Sequence, residues 1–330
     1  MNKQTQKKGL VLLVCLVVFT AVMVPVIGLI DRALNKVDGL PAVPETADEH
    51  RGQLYYESSW YTQKDSLKTI LFLGIDKQME AGGARAESEQ VDFLALLLLD
   101  TETERFQILH LNRDTMTDII QTDITGMESG TFRGQLALSH AYGSNDKARC
   151  RNTVRVVENL LYGIEIDHYV SLTMDAVSIL NDSVGGVTVT LLDDFTYLDP
   201  SYTKGTEVTL KGENALTYVR ARGAQEDSSN LRRMERQRQY IGALFETFVA
   251  VNANHDDNSF ETLLRVNEYM VSDCTINQLN QLTEQLGEYA YDGILTLEGE
   301  AIQGAEYMEY IIDEAAAQKT VVELFYECAE

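Results

Sequence analysis

Three charged residues stand where short apolar runs begin or end. Asp76 follows the run 69–75, Asp92 precedes the run 93–99, and Arg113 follows the run 106–111. Two carboxylates brought to one place would hold a hard divalent cation such as Mg²⁺, which prefers oxygen ligands and often shares them with phosphate. A guanidinium beside them would grip a phosphate oxygen through its forked donors. Taken singly, each of these residues also reads as a plain strand-end cap. A second cluster holds Arg220, Arg222, Arg232, Arg233, Arg236 and Arg238, in a chain whose net charge is −24. Ile241, Leu244, Phe245 and Phe248 make an apolar helical stripe. Continued N-terminally at spacings of three and four, it meets Gln237, Met234 and Arg233. Arg233 and Gln237 therefore turn inward, and Arg232, Arg236 and Arg238 fall off the stripe. A buried arginine needs an anionic ligand or an internal carboxylate such as Asp227, and the pattern leaves both open.

These residues meet only if a sheet brings them together. The runs 69–73, 93–99 and 106–111 read as buried strands, with 100–104 as a turn. If the strands alternate in direction, Asp76, Asp92 and Arg113 arrive at one sheet edge. Helical spacing is expected over 152–162, 175–180, 213–220, 231–251, 276–289 and 315–326. Strands are expected over 169–174, 187–191 and 293–297, with Gly185-Gly186 as a tight turn. Strands alternating with helices predict an α/β layered domain.

Residues 10–30 are uncharged and mostly apolar, preceded by Lys3, Lys7 and Lys8 and no acid. At about 1.5 Å per residue, a helix of this length crosses a hydrocarbon core roughly 30 Å thick. The positive-inside bias keeps the N-terminus cytoplasmic and the rest outside. A cleaved signal peptide fits less well, because the run exceeds a usual apolar region and no A-x-A site follows. The expected order is a cytoplasmic tail (1–9), a transmembrane signal-anchor (10–30), a polar linker (31–66), a catalytic domain (67–250) and an extension of that domain (251–330). Three lysines and no acid in the first thirty residues leave −27 on the remainder. Such a domain is a poor nucleic-acid binder. Cys15 lies in the apolar segment, and Cys150, Cys274 and Cys328 form no C-x-x-C. His168 carries no sign of a partner, Asp193-Asp194 read as solvated loop acids, and His140 reads as structural.

The chain resembles the LytR-CpsA-Psr family. The resemblance rests on Gly74-Ile75-Asp76, on Asp92 before an apolar strand, and on Arg113-Asp114-Thr115 after the next strand. His140-Ala141-Tyr142-Gly143, Gly185-Gly186-Val187 and Gly212-Glu213-Asn214-Ala215-Leu216 follow. Tyr218-Val219-Arg220-Ala221-Arg222 and Arg233-Met234-Glu235-Arg236-Gln237 close the set. The motifs stand in family order over roughly residues 67–250. The resemblance implies a central mixed β-sheet flanked by helices, with a long apolar pocket for a prenyl chain. It implies a bacterial membrane phosphotransferase that moves a glycopolymer from a polyprenyl-pyrophosphate carrier to a peptidoglycan sugar hydroxyl. Teichoic acids and capsular polysaccharides are among such polymers. Carried over by position, Asp76 and Asp92 would bind Mg²⁺ or Mn²⁺. Arg113, Arg220, Arg222 and Arg233 would neutralise the pyrophosphate, and Gln237 would hydrogen-bond it. The chain departs from the family where Gln90-Val91-Asp92 replaces Arg-Ser-Asp and where Asn112 replaces a proline. A pyrophosphate hydrolase, which keeps the site but lets water attack, is one alternative, and the missing arginine before Asp92 keeps open a second, a non-catalytic lipid-binding or regulatory envelope protein.

Overall fold

The computed structural model describes residues 53–75, 90–123, 125–221, 230–252 and 259–329. The expected membrane segment lies outside the described residues, as do Asp76, Arg222 and Asp227. Among the described residues no helix is long and apolar enough to cross a membrane. The chain divides into residues 1–55 and a second unit, Tyr56–Glu330, which carries the sheet, its helices and the site.

Strand β1 (Leu54–Tyr56) and strand β2 (Ser59–Gln63) lead into β3 (Leu67–Ile75), β4 (Val91–Asp100) and β5 (Arg105–Leu111). These last three are antiparallel neighbours. Strands β6 (Met116–Thr122) and β7 (Glu128–Gln135) form a separate hairpin, followed by a 3₁₀ turn and α1 (Asp146–Leu160). Next come β8 (His168–Thr173), α2 (Ala176–Ser183), and the paired strands β9 (Val187–Thr190) and β10 (Glu207–Leu210). Helices α3 (Glu213–Arg220), α4 (Asn230–Asn252) and α5 (Ser259–Val266) follow. The chain continues through β11 (Met270–Ser272), α6 (Ile276–Glu288) and β12 (Ala290–Thr296). It ends on the hairpin β13 (Gly299–Gln303) and β14 (Met308–Ile312), then α7 (Glu314–Phe325) and β15 (Tyr326–Cys328).

The main sheet runs β11-β8-β3-β4-β5-β12. It is mixed: β8 lies parallel to β3 and β12 parallel to β5, whereas the other neighbours are antiparallel. Strand β4 is a nearly unbroken apolar run because it is central and buried on both faces. On one face Ile70, Ala95, Leu97, Phe106 and Ile108 pack with Ile241, Phe245 and Phe248 of α4 and with Leu279, Leu282 and Leu286 of α6. Alternation sends Leu71, Leu94, Leu96, Leu98 and Leu109 to the opposite face, where all are buried. Helix ends are set by local chemistry. Thr275 and Gln278 form a reciprocal capping box on α6, and Asn145 caps α1 by accepting from the Ala148 N–H at 3.0 Å.

The expected polar linker does not extend to residue 66. Strand β2 pairs antiparallel with β15, Tyr61 facing Cys328, so this stretch is stitched to the far end of the chain. Among the described residues Cys150, Cys274 and Cys328 form no disulfide. The Gly185-Gly186 turn is real, with both φ angles positive. A Cβ on Gly186 would meet the Leu210 carbonyl at 2.8 Å.

Candidate functional site

Antiparallel pairing of β3, β4 and β5 brings the start of β4 and the end of β5 to one edge. The register of β3 against β4 shifts between Gly74 and Ile75, which face Phe93 and Val91 and leave Asp92 as the extra residue of a bulge. A bulge re-aims the side chain it carries. Asp92 meets the Arg113 guanidinium in an ion pair, and Arg233 of α4 reaches the same carboxylate oxygen at 3.7 Å. Arg113 also donates to Gln90 Oε1 at 2.8 Å and lies 3.6 Å from Asp114 Oδ1. Gln90, which takes the place of the family's arginine, is thus a neutral acceptor that holds Arg113. Asp114 is fixed in turn by Gln135 Nε2 at 3.1 Å and by Asn112, whose side chain accepts the Asp114 N–H at 2.9 Å.

Helix α4 carries the site toward an apolar cleft. Its inward residues run Arg233, Gln237, Tyr240, Ile241, Leu244 and Phe245, from charged to apolar along one stripe. From Gln237 onward they line a cleft with about 990 Å³ of empty space, open mouth included. The opposite wall comes from Phe72, Gly74 and Phe93 of the sheet and from Val177 and Leu180 of α2. Gly74 is required there, because a Cβ on it would sit 2.9 Å from Phe93 Cβ. Gln237 is 4% exposed, and its Nε2 donates to the Val219 carbonyl at 3.3 Å. Its Oε1 is buried with no hydrogen-bond partner among the described residues.

The structure brings together Asp92, Arg113, Arg233 and Gln237. Arg220 is the last residue of α3, next to the Val219 carbonyl that Gln237 uses. Asp76 and Arg222 lie outside the described residues. Asp92 offers hard oxygen donors of the kind Mg²⁺ or Mn²⁺ takes, and such ions are often held by one or two carboxylates plus phosphate. Asp92 is the one such carboxylate among the described residues at this edge, with Asp114 beside it, and it is already paired with Arg113 and Arg233. Among the described residues, three ligating side chains approach within 4.8 Å only at His168, Asp273 and Cys274. That group sits at the opposite sheet edge, since His168 pairs with Ile70 and Asp92 lies beyond Gly74.

One sequence reading needs correction and one needs extending. Arg236 lies off the inward stripe as expected, yet it is 1% exposed and the most deeply buried of the described arginines. It bonds to Asp193 Oδ2 at 2.5 Å, to the Tyr218 carbonyl at 3.1 Å and to the Ala221 carbonyl. The apolar stripe reports only the face toward the sheet, whereas α3 covers the adjacent face. Asp193, expected to be a solvated loop acid, joins Arg236 to Arg232, which reaches it at 3.0 Å. Burial pushes the Asp193 carboxyl up, but the two guanidiniums outweigh it and leave it below the usual carboxylate range. The internal-pair alternative therefore holds for Arg236, with Asp193 as its carboxylate.

An apolar cleft ending beside clustered guanidinium and carboxylate groups lies on a mixed sheet flanked by helices, an α/β domain. The chain belongs to the LytR_cpsA_psr family, whose model matches residues 42–325. One relative is a polyisoprenyl-teichoic acid–peptidoglycan teichoic acid transferase, TagU of Halalkalibacterium halodurans. It is 30% identical over 178 residues, which is 54% of this chain and 52% of the relative. The chain thus matches about half the length of such curated relatives. The solved structure of TagT bound to LI-WTA shares the fold at a TM-score of 0.58 and 22% identity, covering 79% of this chain and 90% of that one. Protein gbs0355 from Streptococcus agalactiae does so at 0.62 and 21%, covering 78% and 87%.

Proposed function

We propose that the chain is a membrane-anchored phosphotransferase that moves a glycopolymer from a polyprenyl-pyrophosphate carrier to a peptidoglycan sugar hydroxyl. The observation that carries this reading is the continuity of the apolar cleft with the Asp92–Arg113–Arg233 cluster along one stripe of α4. The prenyl chain occupies the cleft. The pyrophosphate sits at its charged end, where Gln237 and the guanidiniums of Arg113, Arg220, Arg222 and Arg233 meet its oxygens. Relatives named as polyisoprenyl-teichoic acid transferases support the same carrier chemistry.

Charge counting says what else the site needs. Arg113 and Arg233 face Asp92 and Asp114, so these four side chains sum to zero. A pyrophosphate diester brings further negative charge, which Arg220, Arg222 and a divalent ion would balance. In this reading Asp76 and Asp92 hold Mg²⁺ or Mn²⁺, which supplies neutralisation of phosphate charge. The acceptor hydroxyl oxygen forms a new bond to the sugar-linked phosphorus. The bond from that phosphorus to the bridging oxygen breaks, and prenyl phosphate leaves with the electron pair. The hydroxyl proton passes to solvent or to a site carboxylate. Phosphoryl transfer of this kind rests on positioning and charge neutralisation, which arginines provide. In the same reading residues 10–30 cross the bacterial cell membrane once, N-terminus inside, and place the catalytic domain outside.

The test is incubation of the full chain in detergent with a polyprenyl-pyrophosphoryl sugar, Mg²⁺ and peptidoglycan fragments, beside Arg113→Ala. The expected result is sugar phosphate joined to the fragment by the first protein and not by the second. Free sugar phosphate without joined product would make the protein a hydrolase. Tight lipid binding with the pyrophosphate left intact would make it a binding protein.

A further inference from the structure

Helix α4 separates two clefts, not one. On the far side of Arg233 and Gln237 a second opening holds about 930 Å³ of empty space, its mouth included. Its wall includes His110, Asn112, Thr115, Arg238, Thr296 and Tyr310. Asn112 and Thr115 flank Arg113-Asp114 in the chain, and the Tyr310 N–H donates to the Asp114 carbonyl at 2.9 Å, so the wall of this cleft is tied to the segment that carries the charged cluster. The partition is a ring pair: Phe93 faces the apolar cleft and packs, tilted by 32°, against His110, which faces the polar one, centroids 5.0 Å apart.

The chemistry of the two sides differs. The second cleft mixes two guanidiniums (Arg232 and Arg238), the Glu235 carboxylate, an amide, hydroxyls, an imidazole and an aromatic ring, with polar and apolar surface together. His110 is 2% exposed, and its Nδ1 has no hydrogen-bond partner among the described residues. A buried nitrogen left so costs free energy until a ligand or water meets it. Tyr310 donates its hydroxyl proton to the Leu297 carbonyl at 2.9 Å, which leaves the phenolic oxygen able to accept. A lipid tail gains nothing from such a wall. A hydroxyl-bearing sugar ring, with donors and acceptors on its rim and apolar faces, matches it.

We propose that this polar cleft is the acceptor subsite, in which a peptidoglycan sugar ring is seated with a hydroxyl directed at the Asp92–Arg113 cluster and His110 acts as a positioning residue. This rests on the transferase reading above. The donor carries sugar as well, so the donor's glycan is the competing occupant of the same chemistry.

The test uses the full chain in detergent, titrated calorimetrically with a soluble peptidoglycan disaccharide–peptide and, separately, with a farnesyl-pyrophosphoryl sugar. Arg238→Ala removes one of the cleft's two guanidiniums, the other, Arg232, being paired with Asp193 and Glu235, and Thr296→Trp fills it from the strand beside His110. The expected result is a roughly ten- to hundredfold weaker affinity for the disaccharide in both variants, the size of a lost hydrogen bond to a charged group. Melting temperatures are measured alongside, and if Thr296→Trp does not fold, Arg238→Ala decides. Weakened binding of the lipid-linked sugar with the disaccharide unchanged would assign the cleft to the donor glycan and overturn the proposal. Disaccharide affinity unchanged in both variants, or absent in the unmodified protein, would overturn it too. Failure of the unmodified protein to bind the lipid-linked sugar would instead sink the transferase reading.

Discussion

Replacing Arg236 with methionine separates a structural arginine from a ligand-binding one. The wild-type guanidinium spans three acceptors: Asp193, the Tyr218 carbonyl and the Ala221 carbonyl, at the end of α3. Methionine keeps much of the volume and none of the donors. Each of the two carbonyls left without its donor costs roughly 1–3 kcal/mol. Asp193 keeps Arg232 and is about a quarter exposed, so its loss is smaller. Apolar burial of the methionine stem returns about 1–2 kcal/mol. The net expectation is a loss of roughly 3 kcal/mol. At about 2–4 °C per kcal/mol for a domain of this size, the melting temperature should fall by roughly 6–12 °C.

Circular-dichroism melts of the full chain in detergent measure this directly, with Arg232→Met as control. Arg232 is a third exposed and should cost only about 1 kcal/mol. The sign of the pH dependence is fixed as well. The folded Asp193 carboxyl lies below its unfolded value, so its contribution is complete above the unfolded value and is lost as pH falls through the folded one. The gap between wild type and Arg236→Met should therefore narrow in acid. A variant that melts within about 2 °C of wild type yet no longer binds a prenyl pyrophosphate would refute the reasoning. Arg236 would then be an anion ligand and not an internal pair.

Burial holds His110 at a pKa of about 3, with a smaller push from Arg238. Its folded value is depressed, so stability should fall by roughly 1.4 kcal/mol per pH unit from about 6.5 down toward 3. Urea melts of His110→Phe should lose that share of the slope, and an unchanged slope would contradict the neutral, buried imidazole. Gly74→Ala should cost about 1–3 kcal/mol, because the new Cβ meets Phe93 Cβ at 2.9 Å in a strand that cannot shift freely; a melt indistinguishable from wild type would argue that Phe93 moves. Leu244→Trp places an indole ring in the apolar cleft. It should weaken binding of a prenyl pyrophosphate roughly tenfold or more with little change in melting temperature, and unimpaired binding would take the lipid out of that cleft.

The sheet was legible because its central strands are long apolar runs. The arrival of Asp92 and Arg113 at one edge followed from alternation alone. What periodicity missed has a common physical cause: the partner lies far along the chain. Strand β2 is polar and half-buried, and only its pairing with Tyr326–Cys328 makes it part of the fold. Asp193 looks like any loop acid, since Arg232 and Arg236 stand about forty residues away. The β6–β7 hairpin has a largely exposed, glycine-bearing second strand with no alternating apolar signal.

Helix α4 shows why an arginine count cannot assign roles. A helical wheel weighted by hydrophobicity finds the single face that meets the sheet. Yet three faces of α4 are occupied, each by a different chemistry. Arg233 and Gln237 face the apolar cleft and the Asp92 carboxylate. Arg236 turns to the carbonyls that end α3. Arg238 turns to the polar cleft opposite His110. The density of arginine in so acidic a chain follows from that division. One residue staples α3 and α4 together, so that Arg220 and Arg233 are held by the same joint. A change that loosens the staple should therefore displace the anion site without touching it, which is why Arg236→Met must be read by stability first and by binding second.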